Sequence, residues 1–249
     1  MLTFLKKNNL TAEFSNIAIT IGAAGEDDID QIVLLYDNLK IDSSNYKLRL
    51  DPEGEQSFSR IGGFFHPLDK KSIRRVIEEN CSCVITVKRA GKIIAFLWVS
   101  STDPVFSKYK PDDTQLKFAI DNGKTAYFRG ILSSKMFDIS SKIIPITLIN
   151  TAVKLLVKEG YTHSLAEIYR VIYYNDGVHR NVDIINEKGL HKAIAAGGKY
   201  IGELPDEHVT VDGIKIGARS SVILFEHVYA QQLLDTKMNT LGIKIGGLQ

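Results

Sequence analysis

Apolar and polar positions along this chain follow two periods, and each switch between them marks an element. Alternation from Asn16 to Ile21 predicts a short first strand. Glu26-Asp27-Asp28 then places negative charge at the start of a helix whose apolar face is Ile29, Ile32, Val33, Tyr36 and Leu39. The stretch from Ile41 to Phe65 is polar and broken by Pro52, Gly54 and Gly62-Gly63. Asp69 or Ser72 can cap a second helix with Ile73, Val76 and Ile77 on its buried side. Cys83 to Lys88 and Lys92 to Val99 flank Arg89-Ala90-Gly91, a hairpin signal with glycine in the turn. Ser101 to Lys124 is too long for a hairpin loop and is expected to hold a short helix around Gln115 to Ile120.

From Thr125 to Gly202 the pattern runs strand, irregular loop, helix, strand, helix. The first strand is Thr125 to Leu132 and the loop Ser133 to Ile144. Pro145 then opens a helix with Ile149, Ala152, Val153, Leu155 and Leu156 at helical spacing. Gly160-Tyr161 stops it, and Ser164 to Ile172 is rich enough in β-branched and aromatic residues to be a buried strand. Asn186 precedes a helix that closes on Gly197-Gly198. A strand at Lys199 to Glu203, a hairpin around Asp212-Gly213 and a strand from Ser220 to Val228 follow. No repeat or linker interrupts residues 1–249, so one domain is expected, with 1–16 a peripheral lead-in and 229–249 a peripheral tail.

A helix N-terminus placed just after a strand offers unpaired amides and a positive dipole, an ordinary phosphate site. This order of elements resembles the core of the GNAT acyltransferase superfamily. The resemblance implies an α/β fold: a mixed, mostly antiparallel sheet with splayed central strands and helices on both faces. It also implies acetyl-CoA or another acyl-CoA as co-substrate, held by Ser140, Ser141, Lys142, Ile143, Ile144 and Ile146 around Pro145. The family pattern Arg/Gln-x-x-Gly-x-Gly/Ala has lost every glycine in that slot. A capped helix start without a phosphate is the alternative there. Asn186 corresponds to an asparagine that contacts the cofactor arm, and its alternative is a surface amide on one longer helix through Val182, Ile185 and Leu190. Many relatives place an acidic tyrosine seven residues further on, and here that position is Ala193.

The central strands supply substitutes. Period-two reading puts Tyr127, Arg129 and Ile131 on one face of the first strand. Glu167, Tyr169 and Val171 share a face of the second, with Ala166, Ile168, Arg170 and Ile172 opposite. Glu167, an ionisable residue inside a buried strand, is a candidate general base for an incoming amine, and an ion pair with Arg129 is its structural alternative. Tyr169 and Tyr173, with Tyr174, are candidates to line the acceptor cleft or to replace the missing acid; core packing is the alternative.

Composition narrows the rest. A net charge of +2, from 31 basic and 29 acidic residues, gives no reason to expect nucleic acid. The longest apolar run, Ile93 to Val99, is too short to span a bilayer, and the amino terminus does not read as a secretory signal, so a cytoplasmic protein without membrane contact is expected. Cys81 and Cys83 lack nearby histidines, and the histidines do not cluster, so no metal is expected. Lys70, Lys71, Arg74 and Arg75 form a solvated helix face or a docking patch for an acyl carrier protein or the adenosine phosphate of CoA. The leading expectation is an N-acyltransferase acting on an amine-bearing small molecule, peptide or protein, with a homodimer among the assemblies it allows. The alternatives are a non-catalytic acyl-CoA-binding or regulatory module and an acyltransferase that uses an acyl carrier protein.

Overall fold

The computed structural model describes residues 10–14, 17–37, 68–101, 106, 111, 113–133, 143–175, 180–211 and 214–246. The strands are β1 (Leu10–Phe14), β2 (Ile17–Ala23), β3 (Ser82–Arg89), β4 (Lys92–Ser100), β5 (Thr125–Ser133), β6 (His163–Asn175), β7 (Arg180–Ile185), β8 (Lys199–Glu203), β9 (Glu207–Val211), β10 (Ile214–Glu226) and β11 (Lys244–Gly246). The α-helices are α1 (Ile29–Asp37), α2 (Lys70–Glu78), α3 (Thr114–Asp121), α4 (Ile143–Lys158), α5 (Glu187–Ala195) and α6 (His227–Thr240).

Local chemistry explains most of these limits. The Asp69 carboxylate accepts the Ser72 N–H at 2.7 Å and starts α2, and Asp113 does the same for α3 through Leu116 N–H at 2.8 Å. Ala90 and Gly91 both have positive φ, 48° and 77°, the backbone that a two-residue turn needs to match the strand twist. The basic face of α2 is largely a seam to α1 and to the turn that precedes it. Lys70 pairs with Asp30 at 2.8 Å and Arg74 with Glu26 at 2.6 Å, while Arg75 pairs with Glu79 at 2.7 Å within its own helix.

Among the described residues the strands form one sheet in the order β11-β1-β2-β3-β4-β5-β6-β10-β8, with β7 on β6 and β9 on β10. Among the described strands only β5 and β6 pair in parallel. One face carries α4 and α6, whose Leu148, Ala152, Leu156, Ala230 and Leu234 pack on Ile85, Leu97, Phe128 and Ile223. The opposite face carries α1 and α2 against Val84, Phe96 and Leu132, and α3 against Tyr127, Leu165 and Val222.

Four sequence expectations change. The lead-in contains β1, and the tail is no appendage: β11 pairs with β1, while Ala230, Leu234, Met238 and Ile243 are buried in the main core. Helix α4 begins at Ile143 rather than Pro145, which its first turn tolerates because an N–H there has no helical partner. Val182 and Ile185 belong to strand β7, so no long helix runs through Asn186. The last long strand ends at Glu226, where His227 turns the chain into α6. His227 is buried, with Nδ1 2.9 Å from the Tyr161 carbonyl and Nε2 2.7 Å from Ser164 Oγ. Burial keeps its imidazole neutral near pH 7, so it donates at Nδ1 to the carbonyl and accepts the serine hydroxyl proton at Nε2.

Candidate active site

Strands β5 and β6 pair only from Thr125 opposite His163 to Phe128 opposite Ala166. They then separate. The cause lies in the next residue: Val99 of β4 faces Phe128 while Trp98 faces Gly130, so Arg129 is an extra residue in β5. Such a bulge bends and twists its strand, here away from β6. It also breaks the alternation. Leu132 lies opposite Phe96 in the α1 layer, so Ile131, opposite Leu97, turns to the α4 side. Tyr127, Arg129 and Ile131 therefore do not share a face. The Arg129 guanidinium lies over the Trp98 ring, 4.9 Å from its centroid. The buried Trp98 indole N–H has no hydrogen-bond partner among the described residues.

On the other side of the gap, β6 regains a neighbour at Arg170, which lies opposite Ile185 of β7. Glu167, Ile168 and Tyr169 are thus the part of β6 between the two pairings. Glu167 lies opposite Val222 of β10 and Tyr169 opposite Ser220. Both share the face of Leu165, which packs in the α3 layer, whereas Ile168 packs against the α4 core. Arg170 turns to that same side and meets Glu203 at 2.5 Å; Glu203 also holds Arg219 at 3.2 Å.

The electrostatics gather on Tyr169. Burial raises its phenol far above the ordinary tyrosine range, and the Glu167, Glu207 and Tyr36 charges push the same way against the opposing Arg129. Tyr36 of α1 is also raised, by burial and then by Asp37. Glu167, Glu207, Tyr36 and Arg129 are thus near enough to Tyr169 to act on its charge. A phenol so strongly held in its protonated form serves as a hydrogen-bond donor more readily than as a proton source.

The remaining predicted positions divide. Ile143 and Ile144 are buried in the main core at the first turn of α4, with Ile146 half-buried against it. Their side chains anchor the helix start, and their amides belong to the turn that lacks helical partners. Ser140, Ser141 and Lys142 lie outside the described residues. Tyr173 is described by its backbone alone, opposite Asn181 and Gly217 in the part of β6 flanked by β7 and β10. Asn186 is the N-cap of α5: its Oδ1 accepts the Gly189 N–H at 2.8 Å, and its own N–H donates to the Tyr169 carbonyl at 3.3 Å. Ala193 is 8% exposed within the main core.

Sequence reading missed Trp98, Tyr36 and Glu207, and it misplaced Ile131. One signal was present: a glycine inside an apolar strand, here Gly130 after Arg129, is the usual mark of a bulge. Among the described residues no group of three or more His, Cys, Asp or Glu side chains is placed to hold a metal ion, and no helix is long and apolar enough to cross a membrane.

A sheet whose two parallel central strands part after a short pairing, followed by a helix start, has the GNAT topology. Solved structures agree. An uncharacterised protein from Bacillus halodurans is 13% identical, with a TM-score of 0.51 over 92% of this chain and 97% of that one. The protein smu.2055 from Streptococcus mutans is 16% identical, with a TM-score of 0.50 over 83% and 98%. The ribosomal-protein-S18-alanine N-acetyltransferase from Escherichia coli is 11% identical, with a TM-score of 0.49 over 83% and 92%. No protein-family model and no curated protein matches the sequence. This chain shares the fold of the first two of these solved structures.

Proposed function

We propose that this chain transfers an acyl group from acyl-CoA to an amine. The observation that carries the reading is the parting of β5 and β6 after Phe128 and Ala166, with the Arg129 bulge on one wall and Glu167 and Tyr169 on the other. A thioester arm entering from the α4 side would bring its carbonyl to the β5 edge at Gly130 and Ile131. Backbone amides there would meet the tetrahedral oxyanion. Glu167 takes a proton from the acceptor amine, whose nitrogen forms the new C–N bond as the C–S bond breaks. The departing thiolate has a reference pKa of about 8.5, so a hydrogen bond from Tyr169 or from water suffices near neutral pH.

The acyl donor under this reading is acetyl-CoA or another acyl-CoA, with pyrophosphate at the start of α4, in a single cytoplasmic domain. A thiol-release assay with acetyl-CoA and a panel of primary amines tests it. Amine-dependent release of CoA is the expected result, and none from any amine, despite CoA binding by calorimetry, would refute it. That outcome would favour the second reading, a binding module without turnover, for which the core position of Ala193 speaks. The pairing of Lys70 with Asp30 of α1 and of Arg74 with Glu26 just before it leaves less of that helix face for an acyl carrier protein.

A further inference from the structure

We propose that the groove between the end of α5, the start of β8 and the first turn of α6 is a self-association face, filled by the same groove of a second copy of this chain. A cavity of about 570 Å³ opens there, lined by Ile194, Gly198, Lys199, Tyr200, Glu226 and Tyr229 among others. None of its lining residues belongs to β5 or β6, so it is separate from the gap described above.

Its shape follows from two glycines. Gly197 has φ 94°, where any side chain is strained. A Cβ on Gly198 would lie 2.5 Å from Ile223 Cγ2 and 2.8 Å from the Ala193 carbonyl oxygen. The chain therefore hugs β10 as it leaves α5, and the next side chains project outward. Tyr200 is 51% exposed, Tyr229 58% and Ile194 47%. Three large apolar side chains around one groove exceed the scattered exposure that needs no explanation. Strand β8 also ends the sheet order among the described residues, so no further strand of the sheet lies beyond it there.

Charge selects the occupant. The groove carries one base, Lys199, and one acid, Glu226, both exposed and neither in an ion pair among the described residues. A two-fold axis turns such a surface onto itself. Each Lys199 then meets Glu226 of the other copy, and the tyrosines and Ile194 close the apolar centre. The face is neutral and self-complementary, with every contact made twice.

Sedimentation equilibrium of the full chain over a wide concentration series tests this. The expected mass at high concentration is twice 27.8 kDa. Tyr229→Asp should weaken the dimer about tenfold or more without changing the thermal melt, since the side chain is exposed. Tyr229→Ser replaces it should the aspartate variant misfold. Lys199→Glu should also weaken the dimer, and Lys199→Glu with Glu226→Lys should restore it. A wild-type chain that stays monomeric overturns the proposal and leaves the groove to a small molecule or a foreign protein. A dimer unmoved by either tyrosine variant, or a charge swap no better than Lys199→Glu alone, overturns it as well.

Discussion

The backbone N–H of Asn186 donates to the carbonyl of Tyr169 at 3.3 Å, which ties the start of α5 to the stretch of β6 that faces the gap. One residue thus does two things: it caps a helix with its side chain and anchors that helix to the candidate site with its backbone. The cap also explains a glycine inside α5. A Cβ on Gly189 would lie 2.8 Å from Asn186 Nδ2 and 3.0 Å from Oδ1.

Asn186→Ala is therefore expected to cost about 1 kcal/mol by denaturant titration, the usual value of an N-cap, while Asn186→Asp keeps the cap and the stability. Gly189→Ala should displace the Asn186 side chain, so its gain in helix propensity of about 1 kcal/mol is offset by the lost cap. A clear net stabilisation by Gly189→Ala would show that the cap contributes little.

Glu167→Gln tests the proposed base. Acyl transfer should slow by about 100-fold or more with CoA affinity unchanged, because the side chain faces the acceptor layer rather than the α4 side. Reduced stability with unchanged turnover per folded molecule would mark Glu167 as a structural charge instead.

The proposed phosphate site is best tested at Ser141. Ile143→Asp would place a charge in the main core, where Ile143 is buried, and would unfold the helix start rather than probe it. Ser141→Asp should weaken CoA binding in calorimetry by repulsion at the helix N-terminus while the thermal melt holds. Unchanged affinity would remove the pyrophosphate from this position.

Ala193→Tyr tests the position of the family's acid. The sequence alone suggests a neutral or stimulatory change, but Ala193 is packed in the core and its carbonyl accepts the Gly198 N–H at 2.9 Å. Overpacking should cost about 1–3 kcal/mol in a denaturant titration. A variant as stable as the parent would show room beside Ala193 that its burial denies.

His227 makes a pH prediction. Burial is the largest cause that brings its imidazole down to about 4, with the Tyr161 carbonyl opposing and His163 adding to the fall. The unfolded chain then binds the proton more readily, near its reference value of about 6.5. The stability is full above that value and falls as the pH drops toward 4, by about 3 kcal/mol in all. Urea titrations at several pH values check this. His227→Gln should be less stable at neutral pH yet have a flatter acid limb, and equal slopes in the two proteins would refute the assignment.

Elements set by neighbouring residues were legible in the sequence. Asp69 and Asp113 cap their helices through amides three residues on, and Ala90-Gly91 sets its own turn. The apolar periods place β4, α4 and the first half of β6 because each buries a face whatever its partner is. The overall order sufficed to point to the fold. Features that depend on which strand meets which were not legible. The Arg129 bulge exists only as a mismatch in count between β4 and β5, and it alone turns Ile131 to the other face. Strand β7 forms because β5 vacates that side of β6, and β1 and β11 stabilise each other across almost the whole length of the chain. Tyr36 and Glu207 act on Tyr169 from two separate elements, and Trp98 meets Arg129 from a third, so these meetings were decided by long-range pairing and not by any local pattern.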